Sequence, residues 1–222
     1  SGTFHASVGQ EAVSAGVVSA LHGNDLVVSN HRGHGHLIAK GGELWRMAAE
    51  LFGRAEGYCR GRGGTQHLSA PGVGFAGANG ITGGGIPVAT GLALALKHEG
   101  RGRIVAAFFG DGAANQGTFH ESLNMASLWN LPVLYVCENN CYAMGTRTEC
   151  ATSVERIADR GAAYALEAAS VDGNDAAAVM AAAAAAVQKV RSGRPFLLEC
   201  LTYRLHGHSK SDAAPYRPRE EY

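Results

Sequence analysis

Apolar positions in this chain follow two rhythms. The runs Ile104–Val105–Ala106–Ala107–Phe108–Phe109 and Val133–Leu134–Tyr135–Val136–Cys137 are unbroken and short. Such runs predict strands buried on both faces, as in a parallel sheet. Between them, Phe119, Leu123, Met125, Ala126 and Leu128 recur at roughly helical spacing, which predicts a helix from Gln116 to Trp129, ended by Pro132. Elsewhere the helical rhythm returns over Gly9–Leu21, Leu44–Phe52, Val88–Lys97, Ile157–Tyr164 and Ala176–Val190. Pro87 opens the third of these. Asn174 or Asp175 caps the last, and Gly193 and Pro195 end it. Shorter strands are predicted over Asp25–Ser29, Ala168–Val171 and Phe196–Thr202. Strand and helix alternate, so the expected architecture is α/β, a parallel sheet flanked by helices.

Composition narrows the function classes. The 222 residues carry 19 Lys plus Arg against 19 Asp plus Glu, a formal charge of zero. That balance points to no nucleic acid and no anionic membrane surface as partner. No apolar run approaches the roughly 20 residues of a membrane span, and no signal-peptide pattern stands at the start. Five cysteines, an odd number, sit mostly in apolar surroundings, which suits reduced thiols in a reducing compartment. Cys137-x-x-x-Cys141 lacks the second pair a zinc site needs.

The chemistry gathers where strands end. Gly110–Asp111–Gly112–Ala113–Ala114–Asn115 follows the first buried strand, and Glu138–Asn139–Asn140 follows the second. Ligands of parallel sheets bind outside the carboxyl ends of strands, and Asp111 and Asn140 are expected on neighbouring ends. An acid and an amide with a nearby carbonyl suit magnesium, which keeps phosphate oxygens among its ligands. Gly112 and Ala113 are expected to open a helix whose free N–H groups meet those phosphates. An ordinary turn with a capping Asp is the plainer alternative. The dinucleotide fingerprint fails at Asn115, and no G-x-x-x-x-G-K-[ST] occurs.

Other loops carry polar or bare backbone. His31–Arg32–Gly33–His34–Gly35–His36 places a planar guanidinium and three histidines at a strand exit, which reads as anion capture. A solvated loop is the alternative, and an H-x-H metal pair lacks a third ligand. Tyr58 to His67 is basic and glycine-rich, and Ala78 to Pro87 is stripped of side chains so that a flat ring can approach the main chain. Glu11, in a Gly-Gln-Glu-Ala turn, reads as a structural hydrogen-bonding group.

The wording Gly-Asp-Gly-Ala-Ala-Asn-Gln-Gly, followed by Leu-Pro-Val-Leu-Tyr-Val-Cys-Glu-Asn-Asn, closely resembles the alpha subunit of the thiamine-diphosphate-dependent component of 2-oxoacid and acetoin dehydrogenase complexes. The resemblance runs from Gly9–Gln10–Glu11–Ala12 to Tyr216–Arg217–Pro218–Arg219–Glu220–Glu221, nearly the whole chain. It implies a single thiamine-diphosphate-binding domain over residues 1–222, shortened at both ends relative to the family.

The resemblance also implies roles. Asp111 and Asn140 would be side-chain ligands of Mg2+, with the Tyr142 carbonyl as a third. Gly110, Gly112 and Ala113 would meet the diphosphate by backbone contacts, joined by His31, Arg32 and His208. Gly80 and Thr82 would receive the aminopyrimidine ring. His67 and His208 would serve the catalytic site, although Gln66 stands where the family usually has Met. The cofactor's ylid would attack acetoin or pyruvate, and the two-carbon unit would pass to lipoamide on a lipoyl acyltransferase core. A beta subunit would supply the missing carboxylate, in an α2β2 heterotetramer. The location would be the bacterial cytoplasm, or the mitochondrial matrix of a eukaryote. Some relatives are phosphorylated at the serine matching Ser209, where a phosphate would repel the cofactor's own. A branched-chain 2-oxoacid dehydrogenase subunit, a non-catalytic paralogue and a different nucleotide-binding α/β enzyme are the alternatives.

Overall fold

The computed structural model describes residues 3–218 and 221; Ser1, and Arg219 and Glu220 of the closing motif, lie outside the described residues. In chain order the elements are α1 (Glu11–Ser19), β1 (Leu26–Ser29), α2 (His34–Ala39), α3 (Leu44–Leu51), β2 (Phe75–Ala78), α4 (Gly85–Glu99), β3 (Val105–Gly110), α5 (Gly117–Leu128), β4 (Val133–Asn139), β5 (Tyr142–Ala143), β6 (Thr146–Arg147), α6 (Thr148–Ala151), β7 (Glu167–Asp172), α7 (Ala176–Arg191) and β8 (Phe196–Leu201). Six strands form one parallel sheet in the order β2-β1-β3-β4-β8-β7, and β5 and β6 make a small antiparallel hairpin.

The apolar runs split by parity, as strands must. Ala106, Phe108, Leu134 and Val136 pack with α1 and α7, while Val105, Ala107, Phe109, Val133, Tyr135 and Cys137 pack with α4 and α5. Helices therefore cover both faces, which is why β3 and β4 show no alternation in sequence. Inside the second layer the Tyr135 hydroxyl meets Thr90 Oγ1 at 2.7 Å and the Ser122 carbonyl at 3.2 Å. α1 crosses α7 closely at Gly16, where a Cβ would lie 2.7 Å from Val179 Cγ1. The buried Asp25 takes the Ile104 N–H at 3.0 Å and the Arg191 guanidinium, tying the end of α7 to the entries of β1 and β3.

Several expectations are corrected. Pro87 sits inside the first turn of α4, which starts at Gly85, rather than opening it. Ile157–Tyr164 is a 3-10 helix, not an α-helix. It is pinned by the fully buried Glu199 of β8, whose carboxylate takes the Ile157 and Ala158 N–H groups at 3.1 Å each. Gly112 and Ala113 belong to a 3-10 turn over Asp111–Asn115, and the α-helix begins only at Gly117. The His31–His36 loop is half helix, since α2 starts at His34. β2 was not legible as a strand, because Phe75-Ala-Gly-Ala is short and weakly apolar. Of the two caps expected for α7, Asp175 serves, accepting from the Ala177 and Ala178 N–H groups. Among the described residues no helix is long and apolar enough to cross a membrane.

Candidate functional site

Because the sheet is parallel, the exits of β1, β3, β4 and β8 open at one end. A cavity of about 390 Å³ lies there. Its wall includes His31, Arg32, Thr82, Gly110, Asp111, Gly112, Ala113, Asn140, Tyr142 and His208. Gly80 and His67 stand outside that wall and against each other: a Cβ on Gly80 would lie 3.4 Å from His67 Nε2.

One side of the cavity is built for an anion. Arg32 is buried, and its guanidinium donates to the carbonyls of Ala6 and His208, the latter at 2.9 Å. Burial, then the neighbouring Arg204, brings its pKa down to about 10, so it stays charged at neutral pH. Three imidazoles cluster beside it. The ring centroids of His5 and His31 are 4.7 Å apart, those of His5 and His208 4.8 Å, and those of His31 and His208 5.5 Å. Burial first, then the charge of Arg32, pushes His31 down to about 3 and His208 to about 4, and lowers His5 by the same causes. All three are neutral at pH 7. Their nitrogens lie within 4.8 Å of one another, a spacing a metal ion would accept, but Arg32 Nη2 stands 3.5 Å from His208 Nδ1 and disfavours a cation. His34 and His36 turn elsewhere. His34 Nε2 pairs with the Thr65 hydroxyl at 2.8 Å, and His36 stacks on Phe108 at 3.9 Å.

The facing side gathers hard oxygens. Asp111 is 2% exposed, and burial raises its carboxyl while the Thr148 hydroxyl, donating at 2.8 Å, works against that rise. Asn140 donates through Nδ2 to Gln10 Oε1 at 3.2 Å, and its Oδ1 accepts the Tyr142 N–H at 3.3 Å. Between them Cys141 takes a left-handed φ of 71°, which turns the chain back on itself and leaves its side chain exposed. The Tyr142 carbonyl accepts Arg204 Nη1 at 3.0 Å. A carbonyl has two lone pairs, so one remains. Gly112 has no room for a side chain, since its Cβ would meet Ala143 Cβ at 2.5 Å.

The donor set fits a magnesium diphosphate. A carboxylate, an amide oxygen and a carbonyl are the ligands a small hard cation takes. His31 Nε2, next to the buried Arg32, and Gln10 Nε2, on the amide that meets Asn140, are buried nitrogens without a hydrogen-bond partner. A buried donor left unpaired is costly, and an anion's oxygens would relieve it.

Loops outside the wall hold these groups. The segment after β8 is tied down by Arg204, whose Nη2 reaches the Met144 carbonyl at 2.6 Å and the Tyr216 hydroxyl at 2.7 Å. Tyr216 donates to Asp212, which also takes the His208 N–H at 2.7 Å. Arg160 braces the turn after Asp111, donating to the Ala114 carbonyl at 2.6 Å and Asn115 Oδ1 at 2.8 Å. The glycine-rich loop wraps the buried Glu50, whose carboxylate takes the N–H groups of Cys59, Gly61, Gly63 and Gly64 at 2.7 to 3.0 Å. Burial pushes Glu50 up, but those amides hold it below the usual carboxylate range. Sequence reasoning missed Gln10, Glu50, His5 and Arg204. The one signal was a charged or amide residue standing in an otherwise apolar or glycine-rich run.

Fold and site together define a parallel α/β protein whose strand exits open into one polar cavity. The chain belongs to the dehydrogenase E1 component family, whose model matches residues 1–222. It is 49% identical over 221 residues to the alpha subunit of acetoin:2,6-dichlorophenolindophenol oxidoreductase of Bacillus subtilis, covering 99% of this chain and 66% of that protein. It is 46% identical over 221 residues to the pyruvate dehydrogenase E1 component subunit alpha of Rhizobium meliloti, covering 99% of this chain and 64% of that one. The chain thus spans about two thirds of the length of these relatives. A solved structure described as a thiamin diphosphate-dependent enzyme of Mycobacterium smegmatis shares the fold, with a TM-score of 0.61 at 20% identity over 91% of this chain and 33% of its own.

Proposed function

We propose that the chain is the cofactor-binding alpha subunit of a thiamine-diphosphate- and magnesium-dependent acetoin or pyruvate dehydrogenase. The observation that carries this reading is the convergence, in one cavity, of Asp111, Asn140 and the Tyr142 carbonyl opposite Arg32 and the orphaned His31 Nε2. Asp111, Asn140 and Tyr142 would hold Mg2+, and Arg32, His31 and the N–H groups of Gly112 and Ala113 would hold the diphosphate. Thr82 would border the aminopyrimidine ring, with Gly80 beyond it. When bound, thiamine diphosphate supplies the nucleophilic carbon and the electron sink for cleaving a bond beside a carbonyl.

The chain's own residues bind, orient and exchange protons. His208, neutral and in the cavity wall, is placed to hydrogen-bond a bound cofactor or substrate through a ring nitrogen, and it would take a proton at neutral pH only where a bound anion raises its pKa from about 4. His67, outside the wall, is less well placed for that work. The relatives' names divide between acetoin and pyruvate, and both remain substrates to test. Completion by a beta subunit and delivery of the two-carbon unit to a lipoyl acyltransferase core belong to the same reading.

The test uses the full-length chain co-expressed with a beta-like partner. Dichlorophenolindophenol reduction is measured with acetoin, pyruvate and branched 2-oxoacids in parallel, and cofactor binding by calorimetry with and without Mg2+. Asp111→Asn should weaken Mg2+-dependent binding by more than the roughly 10–100-fold that outer-shell changes cost at metal sites. Cofactor binding undiminished in that variant would overturn the reading.

A further inference from the structure

Glu138 is the last acid before the Asn-Asn pair, and no role in the cofactor seat given above falls to it. It is 1% exposed, yet it forms part of the cavity wall. In the β3–β4 ladder it pairs with Gly110, which has no side chain. Its carboxylate reaches past the end of the central strand to the loop after β1, on the far side. There Asn30 Nδ2 donates to Glu138 Oε2 at 2.6 Å. His36 Nε2 stands 3.2 Å from Glu138 Oε1, off the ideal hydrogen-bond direction, and His36 Nδ1 meets Ser29 Oγ at 2.8 Å.

Asn30 carries the contact onward, because its Oδ1 accepts the Arg32 N–H at 2.8 Å. With Nδ2 taken by Glu138 and Oδ1 by Arg32, the Asn30 amide has one orientation that satisfies both ends. The carboxylate's charge also acts on Arg32 directly, favouring its protonated form against burial and Arg204. Two residues further along β4's exit is Asn140, in the cation seat.

We infer that Glu138 is a positioning residue that joins the two halves of the cofactor seat, fixing the Arg32 loop through Asn30 from the strand that also presents Asn140. The inference rests on the function proposed above. It makes a counterintuitive prediction of sign. Simple electrostatics says that removing a carboxylate from beside a diphosphate should tighten binding. A positioning role says the reverse, because the anchor of the Arg32 loop is weakened.

Calorimetry on the assembled full-length complex separates the two. Glu138→Gln should weaken thiamine diphosphate binding by about tenfold at saturating Mg2+, because the Gln oxygen can still accept from Asn30 but without the charge that strengthens the bond. In an Arg32→Met background the same change should cost under about twofold, because neighbours acting through one another do not add. The apparent Mg2+ affinity at saturating cofactor should fall in Glu138→Gln, a readout that a purely local packing defect would leave alone. Asn30→Ala cuts the chain without touching the carboxylate and should reproduce the cofactor loss, and it stands in if Glu138→Gln does not assemble. Tighter or unchanged binding in Glu138→Gln, unchanged binding in Asn30→Ala, or losses that add to those of Arg32→Met would overturn the inference. If the unmodified complex binds no thiamine diphosphate, it is the proposed function that fails.

Discussion

At the scale of single residues, the cavity is a place where protons are unwelcome until a ligand arrives. His5, His31, His34 and His208 all have folded pKa values below the ordinary 6.5, with burial as the first cause in each. In the unfolded chain these rings gain protons near pH 6.5, while in the folded chain His31 does so only near 3 and His34 and His208 near 4. The unfolded state therefore binds more protons in that window, and stability rises with pH across it. The stability is fully present above pH 6.5 and is lost as pH falls towards 4. Urea midpoints should drop steadily between pH 7 and pH 5, and His31→Phe should flatten the slope. A midpoint flat with pH over that range would contradict the burial of these rings. Little of this was legible in sequence. His31 and Arg32 announced themselves by density of polar groups at a strand exit, but His5 and His208 reach them from opposite ends of the chain. That closeness is a product of long-range packing, and no local spacing encodes it.

At the scale of elements, the buried runs were readable because unbroken apolar strands have few other uses. The β3–β4 unit and its helix emerge nearly as expected, with β4 running on to Asn139. Two of the misses share a cause: tertiary hydrogen bonds overrode local propensity. Glu199 holds Ile157–Tyr164 in a 3-10 form that its sequence alone would not choose. Glu50 looked like one more residue of an amphipathic helix, yet it organises the whole loop from Cys59 to Gly64. The α1–α7 crossing offers a test of element packing. Replacing an interior helix glycine by alanine ordinarily gains up to about 1 kcal/mol. At Gly16 the new Cβ would sit 2.7 Å from Val179 Cγ1 and 2.8 Å from its Cβ. Overpacking of that kind costs about 1–3 kcal/mol and should win. Gly16→Ala should lower the thermal midpoint by a few degrees and Gly16→Val by more, read by calorimetry. A midpoint raised in Gly16→Ala would mean that the two helices part without cost.

At the scale of the whole molecule, the acids are already spoken for. Among the described residues, Asp111 and Glu138 are the carboxylates in the cavity wall. Asp111 takes the Thr148 hydroxyl and belongs to the proposed cation seat, and Glu138 is held by Asn30 beside His36. Neither is free to act on the far, aminopyrimidine end of the proposed cofactor. The full-length chain without a beta partner should therefore turn over neither acetoin nor pyruvate, while still binding the magnesium diphosphate end weakly. Steady turnover by the isolated chain would refute the half-site arrangement. With the left-handed bend at Cys141, the flanking Asn140 and Tyr142 line the cavity while Cys141 itself stays off its wall, an exposed residue whose thiol lies 3.6 Å from the Thr202 carbonyl. The protein thus wears a natural attachment point one residue from the proposed metal ligands. A dye fixed there would sit on the outer skin of the loop and feel it tighten or slacken as the seat fills and empties.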